Sequence, residues 1–373
     1  MKLFYFANKF FPGKSANSVQ IMEMCEAFKN NNIDITLVGF KSKEFRGMEN
    51  LLKSYGIKNK FNICLLEKVP TYYLREIKLF FYFLMNRDKI DFIYTRSLLF
   101  SVFVKLFFRK KKLIYELHDL AKSILFKIFL KNSAKLLDYI VVISKRLKKE
   151  LKAKYKITNV VCLPDGVSIR KFNINISKKT ARKKLRLPIN KYLVFYIGSF
   201  HRWKGIYTFL ESEKYLDKKL KKKILYVVVG GKSKQEIENF KNLYKNIFFV
   251  GYVEHNKIPI YLKAADILVL PNSAKEKSAN FKIAKYYTSP LKLFEYMCAR
   301  RPIIASNLPS IREILNENNS VLVEPDNPKI LAKGIEEIIK NKNLRKKIVK
   351  QGFIDVKQFS WDRRASKIIN LYY

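Results

Sequence analysis

The segment YLVFYIGSFHRWKGIYTFLES, residues 192–212, contains in one run the two patterns that decide the fold. Its first part, YLVFYI, is an unbroken apolar run of the kind that forms a strand buried on both faces of a parallel sheet. Gly198 follows this run, and the apolar residues of IYTFLES then recur at helical spacing. A buried strand, a glycine turn and a helix together predict one unit of a doubly wound α/β sheet.

The same alternation continues on both sides of this segment. Predicted strands before it are KLFYFA, DITLVGF, DFIYTR, KLIYELH, YIVVIS and VVCLPDGV, and those after it are ILYVVVGG, IFFVGYV, DILVLP and RPIIAS. A charged, turn-rich stretch between Ser168 and Asn190 separates the two series. The sequence therefore predicts two Rossmann-like domains, residues 1–168 and 169–352, which face each other across a ligand-binding cleft. We expect the last residues, 353–373, to form an amphipathic helix that packs back towards the N-terminal domain.

The composition indicates a folded protein and leaves several partners open for its charge. Hydrophobic residues make up 48% of the 373-residue chain, and 29 Phe and 22 Tyr supply apolar surface for two domains. The net charge of +44 fits nucleic acid, an anionic membrane surface or an anionic substrate. Because the basic residues are scattered along the chain, their distribution disfavours nucleic acid as the main partner.

The cysteines and the apolar runs predict a cytoplasmic protein without a membrane span. The four cysteines are widely spaced and form no pair or cluster with metal-ligand spacing. They are Cys25, Cys64, Cys162 and Cys298. The longest apolar runs, IKLFFYFLM and LLFSVFVKLFF, are much shorter than the roughly 20 residues that a spanning helix needs. Asn8 and Lys9 interrupt the first apolar run, which predicts a strand rather than a signal peptide.

The segment YTSPLKLFEYM, residues 287–297, predicts a sharply defined helix start. Ser289 suits the N-cap position and Pro290 the first helical position. The N-terminus of such a helix presents unpaired N–H groups and the positive end of the helix dipole, which together favour a phosphate group. Lys292 and Glu295 follow on the same helix. From the residues alone, a surface ion pair between Lys292 and Glu295 is the simpler interpretation.

Four segments, taken in order, resemble the family 4 glycosyltransferases of the GT-B fold. They are VISKRLKKELKAKYKITNVVCLPDGVSIRKF, YIGSFHRWKG, NIFFVGYVEHNKIPIYLKAADILVLP and SPLKLFEYMCARRPIIASNLPSIREIL. Each segment alone is weak support, whereas their order along nearly the whole chain is specific. The resemblance implies an enzyme that transfers a sugar from a nucleotide-sugar donor, which is held mainly by the second domain.

The resemblance places the donor in contact with two of these segments. It implies that Glu295 binds the ribose hydroxyls and that Lys204 contacts the diphosphate, where a cation would neutralise the leaving group. Gly198 would let the end of a strand approach the ligand closely. The predicted donor-binding residues are Gly198, Lys204, Tyr287, Ser289, Pro290, Leu291, Lys292 and Glu295.

Two positions depart from the pattern of the family. Many relatives have an arginine directly after the strand-end glycine, where this chain has Ser199, and Arg202 is the candidate to replace it. Many relatives also have a glutamate that contacts the donor sugar, where this chain has Tyr287. A tyrosine can hydrogen-bond to a sugar or stack on it but cannot supply a carboxylate. These departures leave the identity of the donor sugar open.

The segment YELHDL contributes the catalytic candidate of the first half. The resemblance implies that His118 touches the donor sugar near the reacting centre, and His118 joins Lys204 and Arg202 as the catalytic candidates. A structural histidine is the alternative, with Asp119 as a helix cap. Glu116, in the same segment, either shapes the acceptor side together with Arg96 or forms a structural ion pair with it.

The segment FFPGKSANS, residues 10–18, predicts a loop and a helix start after the first strand. Gly13 is expected to permit a tight turn, and Asn17 or Ser18 to cap the helix. The corresponding loop of the family borders the diphosphate and the acceptor. Gly13, Asn17 and Ser18 are therefore the candidates for a phosphate or acceptor loop.

The predicted chemistry requires no metal ion. A departing nucleoside diphosphate is stabilised by a divalent metal or by fixed positive groups, and the sequence has no D-x-D motif while it does have the helix start and the lysines. We expect no cofactor apart from the nucleotide sugar as co-substrate. The resemblance implies retention of anomeric configuration, with the leaving phosphate oxygen taking the proton of the acceptor. The alternatives are a nucleotide-sugar epimerase of similar fold and a non-catalytic polyanion-binding protein.

Two basic segments of the first half predict contact with a membrane. SKRLKKELKAKYK, residues 144–156, has the pattern of a basic amphipathic helix, and FFRKKK, residues 107–112, adds aromatic and basic residues. Acceptors of related enzymes are often lipid-linked or envelope glycans. The prediction is peripheral attachment to the cytoplasmic face of the membrane, and the alternative is a solvated basic face that follows from the overall composition.

Overall fold

A computed structural model describes residues 1–120, 123–231, 233–275 and 283–373 of the chain. Within these residues the chain divides into two compact units. Unit 1 consists of Met1–Ser168 together with Ser360–Tyr373, and unit 2 consists of Ile169–Phe359. The chain therefore leaves unit 1 after Ser168 and returns to it at Ser360.

Unit 1 is built on a seven-stranded sheet with the order β3-β2-β1-β4-β5-β6-β7. Its strands are β1 Lys2–Phe11, β2 Asp34–Lys41, β3 Asn62–Leu66, β4 Phe92–Thr95, β5 Lys112–Leu117, β6 Tyr139–Val142 and β7 Val160–Cys162. All neighbouring strands pair in parallel. The chain order along the sheet reverses at β1, between β2 and β4, which is where doubly wound sheets bind ligands at the carboxyl ends of their strands.

The helices of unit 1 form a layer on each face of this sheet. They are α1 Ala16–Asn30, α2 Met48–Ser54, α3 Tyr72–Asn86, α4 Leu98–Phe107, α5 Ile124–Ser133, α6 Lys145–Tyr155 and, from the end of the chain, α17 Trp361–Ile369. Because parallel crossovers are right-handed, α1 and α2 lie on one face. The crossovers of α3 to α6 run the other way along the sheet, so these four helices lie side by side on the opposite face.

Unit 2 is built on a six-stranded parallel sheet with the order β10-β9-β8-β11-β12-β13. Its strands are β8 Tyr192–Ile197, β9 Ile224–Val229, β10 Ile247–Gly251, β11 Ile267–Leu270, β12 Ile303–Ser306 and β13 Val321–Val323. Its helices are α7 Ile169–Phe172, α8 Lys178–Lys184, α9 Ile206–Ser212, α10 Lys218–Lys221, α11 Lys234–Leu243, α12 Ile258–Ala264, α13 Leu291–Cys298, α14 Pro309–Arg312, α15 Pro328–Lys340 and α16 Lys342–Val356. Among the helices described in either unit, none has the length and hydropathy needed to cross a membrane.

Two parallel sheets covered by helices confirm the predicted doubly wound α/β architecture. Strands β3 and β13 were not predicted from the sequence. Both lie at the edge of their sheet, and their residues are less buried than those of the central strands. An edge strand needs no continuous apolar run, because only one of its sides is paired and its faces are partly open.

The end of the chain differs from the predicted single helix. Helix α16 continues to Val356, and a separate helix, α17, begins at Trp361. The Oγ of Ser360 caps α17 by accepting a hydrogen bond from the N–H of Arg363 at 3.2 Å. Helix α17 packs on α1, where Asn30 Nδ2 donates to Asp362 Oδ1 at 2.7 Å.

Candidate active site

Strand β8 and helix α13 are joined by a buried tyrosine in unit 2. Tyr296, on α13, accepts a hydrogen bond at its hydroxyl from the N–H of Ile197, the last residue of β8, at 3.2 Å. This bond holds the second turn of α13 against the end of the strand. A Cβ placed on Gly198 would lie 3.5 Å from Lys292 Nζ, so the strand end and the helix start line the same small region.

The ammonium group of Lys292 is buried in this region. Within the part of the chain that the structure describes, its Nζ has no hydrogen-bond partner, and it lies 4.9 Å from the ring centroid of Tyr196. Burial lowers the pKa of Lys292 well below its usual value, the nearby charge of Lys204 lowers it further, and Glu295 opposes both effects. A buried charge without an acceptor is costly, and a bound anion would remove that cost.

Two further buried polar atoms lie beside the same strand end. The Oγ of Ser199 and the Oδ1 of Asn272 are buried and have no hydrogen-bond partner among residues 1–120, 123–231, 233–275 and 283–373. Ser199 follows Gly198 directly, and Asn272 follows Pro271, whose carbonyl oxygen packs on Gly205. Since buried polar atoms are normally satisfied, these atoms, like Lys292 Nζ, remain available to hydrogen-bond with a polar ligand.

The turn after β8 contains Arg202 and Lys204, the two basic residues that were predicted from the sequence as catalytic candidates in this segment. Residues Arg202–Lys204 form one turn of 3₁₀-helix, in which the Lys204 Nζ lies 5.1 Å from the ring centroid of Trp203. The guanidinium of Arg202 instead lies 5.5 Å from the ring centroid of Tyr207. Lys204 is near enough to Lys292 to lower its pKa, so the structure brings these two predicted residues together.

Gly205 is required at the end of this turn. Its φ is +72°, and a Cβ there would lie 1.6 Å from the carbonyl oxygen of Pro271. The backbone of the turn thus packs directly on the chain that follows β11. This packing fixes the position of the Lys204 backbone relative to Asn272.

Glu295 is buried on α13 and bonded to a histidine. Its Oε1 lies 2.7 Å from the Nε2 of His255, whose ring lies 5.5 Å from that of Phe172. The ion pair between Glu295 and Lys292 that the sequence left open is not formed, because Lys292 Nζ has no hydrogen-bond partner in the described residues. His255 was not predicted from the sequence, where its only signal is the polar segment EHNK, residues 254–257, between a strand and a helix.

The start of α13 lies one residue later than predicted. The helix begins at Leu291, and Pro290 is in the N-cap position with φ −69° and ψ 122°. The prediction of Ser289 as N-cap and Pro290 as first helical residue is therefore wrong, because the extended ψ of Pro290 keeps it out of the helix. In the ranges that the structure describes, no side chain accepts a hydrogen bond from the start of this helix, and Ser289 and Tyr287 are both buried just before it.

Unit 1 holds a second polar cluster, centred on Glu116 near the end of β5. Its carboxylate is fully buried and accepts hydrogen bonds from Gln20 at 2.8 Å, from Arg364 at 3.2 Å and from the hydroxyl of Tyr94. Burial alone would raise the pKa of Glu116, but the charge of Arg364 and the contact with His118 outweigh it and hold that pKa below its usual range. Of the two interpretations that the sequence left open for Glu116 and Arg96, the structural ion pair is not formed, because the described ion pairs of Glu116 are with Arg364 and His118.

His118 is held by this carboxylate. Its Nε2 is hydrogen-bonded to Oε1 of Glu116. Burial lowers the pKa of His118 to about 4 and the charge of Arg96 adds to this effect, whereas Glu116 opposes it. A neutral imidazole whose Nε2–H donates to the carboxylate keeps Nδ1 as an acceptor. The alternative of Asp119 as a helix cap does not hold for α5, because Ser123 is the N-cap of that helix.

Asp165 lies in the same cluster and completes a group with metal-ligand spacing. Glu116, His118 and Asp165 each place one ligand atom within 4.8 Å of the others. Burial raises the pKa of Asp165 to about 7, with Arg364 opposing. Since both oxygens of Glu116 already accept hydrogen bonds and Arg364 adds a positive charge, these side chains fit a proton-sharing network better than a cation site.

The loop after β1 differs in detail from the predicted one. Ser15, not Asn17 or Ser18, is the N-cap of α1, and its Oγ accepts from the N–H of Ser18 at 3.3 Å. Asn17 Oδ1 accepts from Arg96 at 3.2 Å. A Cβ on Gly13 would lie 2.4 Å from the Oγ of Ser18, so the glycine serves close packing rather than a turn with positive φ.

Comparison with known families matches both units. The family described as Glycosyltransferase Family 4 matches residues 18–171, and the family described as Glycosyl transferases group 1 matches residues 177–354. Together the two matches extend over most of unit 1 and nearly all of unit 2. The chain therefore carries both halves of a glycosyltransferase.

Individual relatives are glycosyltransferases of modest identity. An uncharacterised glycosyltransferase of Methanocaldococcus jannaschii is 28% identical over 359 residues, which cover 89% of this chain and 87% of that protein. The Escherichia coli UDP-Gal:alpha-D-GlcNAc-diphosphoundecaprenol alpha-1,3-galactosyltransferase is 28% identical over 225 residues. That match covers 56% of this chain and 53% of the galactosyltransferase.

Solved structures share the fold along the whole chain. A sucrose-phosphate synthase from Thermosynechococcus elongatus has a TM-score of 0.77 at 18% identity, covering 100% of this chain and 98% of that one. The Anabaena protein HepE in complex with UDP has a TM-score of 0.74 at 16% identity, covering 99% of each chain. At these identities the likeness shows the fold.

Proposed function

The chain belongs to the family 4 glycosyltransferases of the GT-B fold, and we propose that it moves a sugar from a nucleoside diphosphate sugar to a glycan or lipid-linked acceptor in surface polysaccharide synthesis. The Escherichia coli relative, by its name, acts on a sugar linked to diphosphoundecaprenol. That relative supports a lipid-linked acceptor here.

The buried ammonium of Lys292 carries the donor part of the proposal. It lies between the end of β8 and the start of α13, without a hydrogen-bond partner in the residues the structure covers. Lys204 is close by, and the uncapped N-terminus of α13 adds N–H donors and the positive end of a helix dipole. Two lysines and a helix start match the charge of a diphosphate, which would supply the missing acceptor.

The same groups can stabilise the departing nucleoside diphosphate without a metal ion. Negative charge grows on the β-phosphate oxygen as the glycosidic bond breaks, and fixed cations stabilise it without reorganising. Lys292 and Lys204 take this role in the proposal, with Arg202 as a further cation on the turn. In the proposal, Glu295, which is oriented by its hydrogen bond to His255, accepts hydrogen bonds from the ribose hydroxyls.

The proposed reaction retains anomeric configuration. The bond from the anomeric carbon to the diphosphate oxygen breaks, and the acceptor oxygen forms its bond on the same face. The acceptor proton passes to the leaving phosphate oxygen, so no protein base is needed. In the proposal, His118 accepts a hydrogen bond from a donor-sugar hydroxyl at Nδ1, which is supported by its neutral imidazole and by the hydrogen bond of its Nε2 to Glu116.

Nucleotide binding in the presence of a chelator tests the proposal. Thermal unfolding of the purified protein is followed with UDP, GDP, ADP, CDP and dTDP in EDTA, beginning with UDP because HepE, a protein of the same fold, was solved with it. One nucleotide is expected to raise the unfolding temperature, since a ligand at a hundred times its Kd stabilises by about 2.7 kcal/mol. Lys292→Met should lose most of this response.

The matched control is Lys329→Met, which removes an exposed lysine of unit 2 and should keep the full response. With the nucleotide sugar identified in this way, proton NMR of the transferred sugar should show the anomeric configuration of the donor. A product of inverted anomeric configuration would contradict the proposed retaining mechanism. A nucleotide-dependent rise in unfolding temperature that appears only after a divalent metal is added would rule out the metal-free mechanism.

A further inference from the structure

Helix α3 is apolar on the side that faces away from the sheet. Its inner side packs through Leu79 and Phe83, which are fully buried. Four apolar residues recur every four positions on the outer side, where a surface helix ordinarily carries polar residues. They are Tyr73, Ile77, Phe81 and Met85. Tyr73 is 69% exposed, Phe81 59% and Met85 76%.

The neighbouring helices extend this apolar surface. Helix α4 packs on α3 through Phe80, whose ring centroid lies 5.8 Å from that of Phe103 and 6.0 Å from that of Phe107. Phe107 itself is largely exposed at the end of α4. On α5, Ile124 and Leu125 in the first turn are both more than two-thirds exposed, with Leu125 at 77%. We call the exposed apolar side chains of α3, α4 and α5 the α3–α5 face.

Exposed cations flank the α3–α5 face. Lys131 lies on α5, Arg87 follows α3, and Arg109 and Lys110 follow α4. Leu106, Phe107, Arg109 and Lys110 also line a depression of about 920 Å³ at the end of α4. Apolar side chains beside cations are complementary to an anionic lipid surface, which has apolar acyl chains beneath negatively charged headgroups.

Helix α6, which the sequence favoured as the membrane anchor, has no apolar face to offer. Leu147 and Leu151, its apolar residues at helical spacing, are fully buried in the core of unit 1. Its outward side carries lysines such as Lys149 and Lys152. The prediction of α6 as a membrane-binding amphipathic helix is therefore wrong in its apolar part, because the core already uses that side.

From this geometry we propose that the α3–α5 face rests on an anionic membrane. The apolar side chains enter the boundary between headgroups and acyl chains, and the flanking cations contact the headgroup phosphates. A second copy of the chain is disfavoured as the occupant, because each copy carries a net charge of +44 and cations on both sides of such an interface would repel.

The position of this face suits the acceptor, an argument that rests on the proposed function. The first turns of α3 and α5 follow β3 and β5 and so lie at the carboxyl edge of the sheet. His118 lies at the same edge, directly after β5. A membrane under the α3–α5 face would therefore bring a lipid-linked acceptor to the edge of unit 1 at which catalytic groups gather.

Vesicle flotation of the whole protein tests the proposal. The probes are vesicles of phosphatidylcholine alone and of phosphatidylcholine mixed with phosphatidylglycerol. Wild type is expected to float with the mixed vesicles, and the double variant Phe81→Glu and Leu125→Glu to bind them about tenfold more weakly. The matched control is Leu243→Glu with Phe248→Glu, which places the same charges on exposed apolar residues of unit 2, where Leu243 is 76% exposed, and should bind nearly as wild type does.

Three results would overturn the membrane proposal. Wild type could fail to float with the mixed vesicles, or both double variants could bind alike. Sedimentation could also show a wild-type dimer that only the Phe81→Glu and Leu125→Glu variant breaks, which would assign the face to a second copy. The nucleotide-dependent thermal shift is measured on every variant. If the Phe81→Glu and Leu125→Glu variant keeps the thermal shift, that variant is folded. If wild type shows no thermal shift, the proposed function is contradicted, whereas the flotation result still tests the membrane proposal.

Discussion

One buried cation in each unit, Arg364 in unit 1 and Lys292 in unit 2, can be compared, because the surroundings of their charged groups are opposite. Arg364, in unit 1, donates to Glu116, to the hydroxyl of Tyr94 and to the carbonyl oxygens of Leu163 and Pro164. The ammonium of Lys292, in unit 2, lies 4.9 Å from the ring centroid of Tyr196 and has no hydrogen-bond acceptor within the described residues.

The pKa directions express the same contrast. The contact with Glu116 raises the pKa of Arg364 above its usual value in spite of burial, whereas burial lowers the pKa of Lys292. A cation whose donors are all used supports the fold. A cation whose donors are unused in the protein has them available for a ligand, at a cost in stability.

Removing each cation should therefore have opposite effects on folding. Arg364→Leu leaves the Glu116 carboxylate buried without its charge partner, and we expect the free energy of unfolding of unit 1 to fall by about 3–5 kcal/mol. Lys292→Met removes a charge that has no acceptor, and we expect unit 2 to keep or slightly gain stability. Urea unfolding of both variants gives the two values.

Tryptophan fluorescence can separate the units in this experiment. The chain has two tryptophans, Trp361 in unit 1 and Trp203 in unit 2, so a Trp203→Phe background reports unit 1 and a Trp361→Phe background reports unit 2. Arg363→Leu, which changes the exposed neighbour of Arg364, is the control and should cost little. Equal losses in Arg364→Leu and Lys292→Met would show that the two cations do not differ as the contacts indicate.

The Arg364 cluster should also make the stability of unit 1 depend on pH through Asp165. Burial raises its pKa to about 7, so the folded carboxyl keeps its proton at pH values where the unfolded chain has lost it. The resulting stability is present below about pH 4 and is lost as the pH rises through about 7, at up to about 1.4 kcal/mol per pH unit. Asp165→Asn should remove this loss.

The expected measurement is the difference in urea stability between wild type and Asp165→Asn, which should grow in favour of the variant across that pH window. His118 acts in the opposite direction, since its pKa of about 4 makes stability rise with pH, but it is present in both proteins and largely cancels in the difference. A difference that stays constant with pH would falsify the assignment of the raised pKa to Asp165.

The contrast also shows which features the sequence could predict. The buried strands were predicted because an apolar run such as YLVFYI is a local pattern, and Lys204 and Glu295 became candidates because they stand in short motifs. The partner of Arg364 could not be predicted, since Glu116 is 248 residues away along the chain. His255 was missed for the same reason, as its bond to Glu295 spans 40 residues.

The lack of an acceptor for Lys292 is equally invisible in a sequence. The spacing of Lys292 and Glu295 on one helix predicts an ion pair, yet Glu295 is bonded to His255 and the ammonium of Lys292 lies against Tyr196. A motif states which residues are near one another in the chain. Only the packing of β8 on α13 decides which donors have been used and which have not.

The smallest expected effect concerns Lys204 and the pH dependence of nucleotide binding. Because the pKa of Lys292 is lowered, nucleotide affinity should begin to fall at a pH well below the ordinary lysine value of 10.5, by at most about tenfold per pH unit. Lys204 contributes to that lowering by charge repulsion. Lys204→Met should therefore raise the pKa of Lys292 and move the fall in affinity to higher pH, in addition to any loss of affinity from its own contact.

Calorimetry in two buffers of different ionisation enthalpy measures the proton taken up on binding. Above the pKa of free Lys292, wild type should take up a proton when the nucleotide binds, and Lys204→Met should take up less at the same pH. Lys329→Met should match wild type, since it changes charge without approaching the site. Proton uptake that persists in Lys292→Met would mean that another group titrates. Ligand binding should change the protonation only of a cation that lacks an acceptor in the free protein, such as Lys292. If another group titrates instead, the contrast between Lys292 and Arg364 is supported only by their contacts.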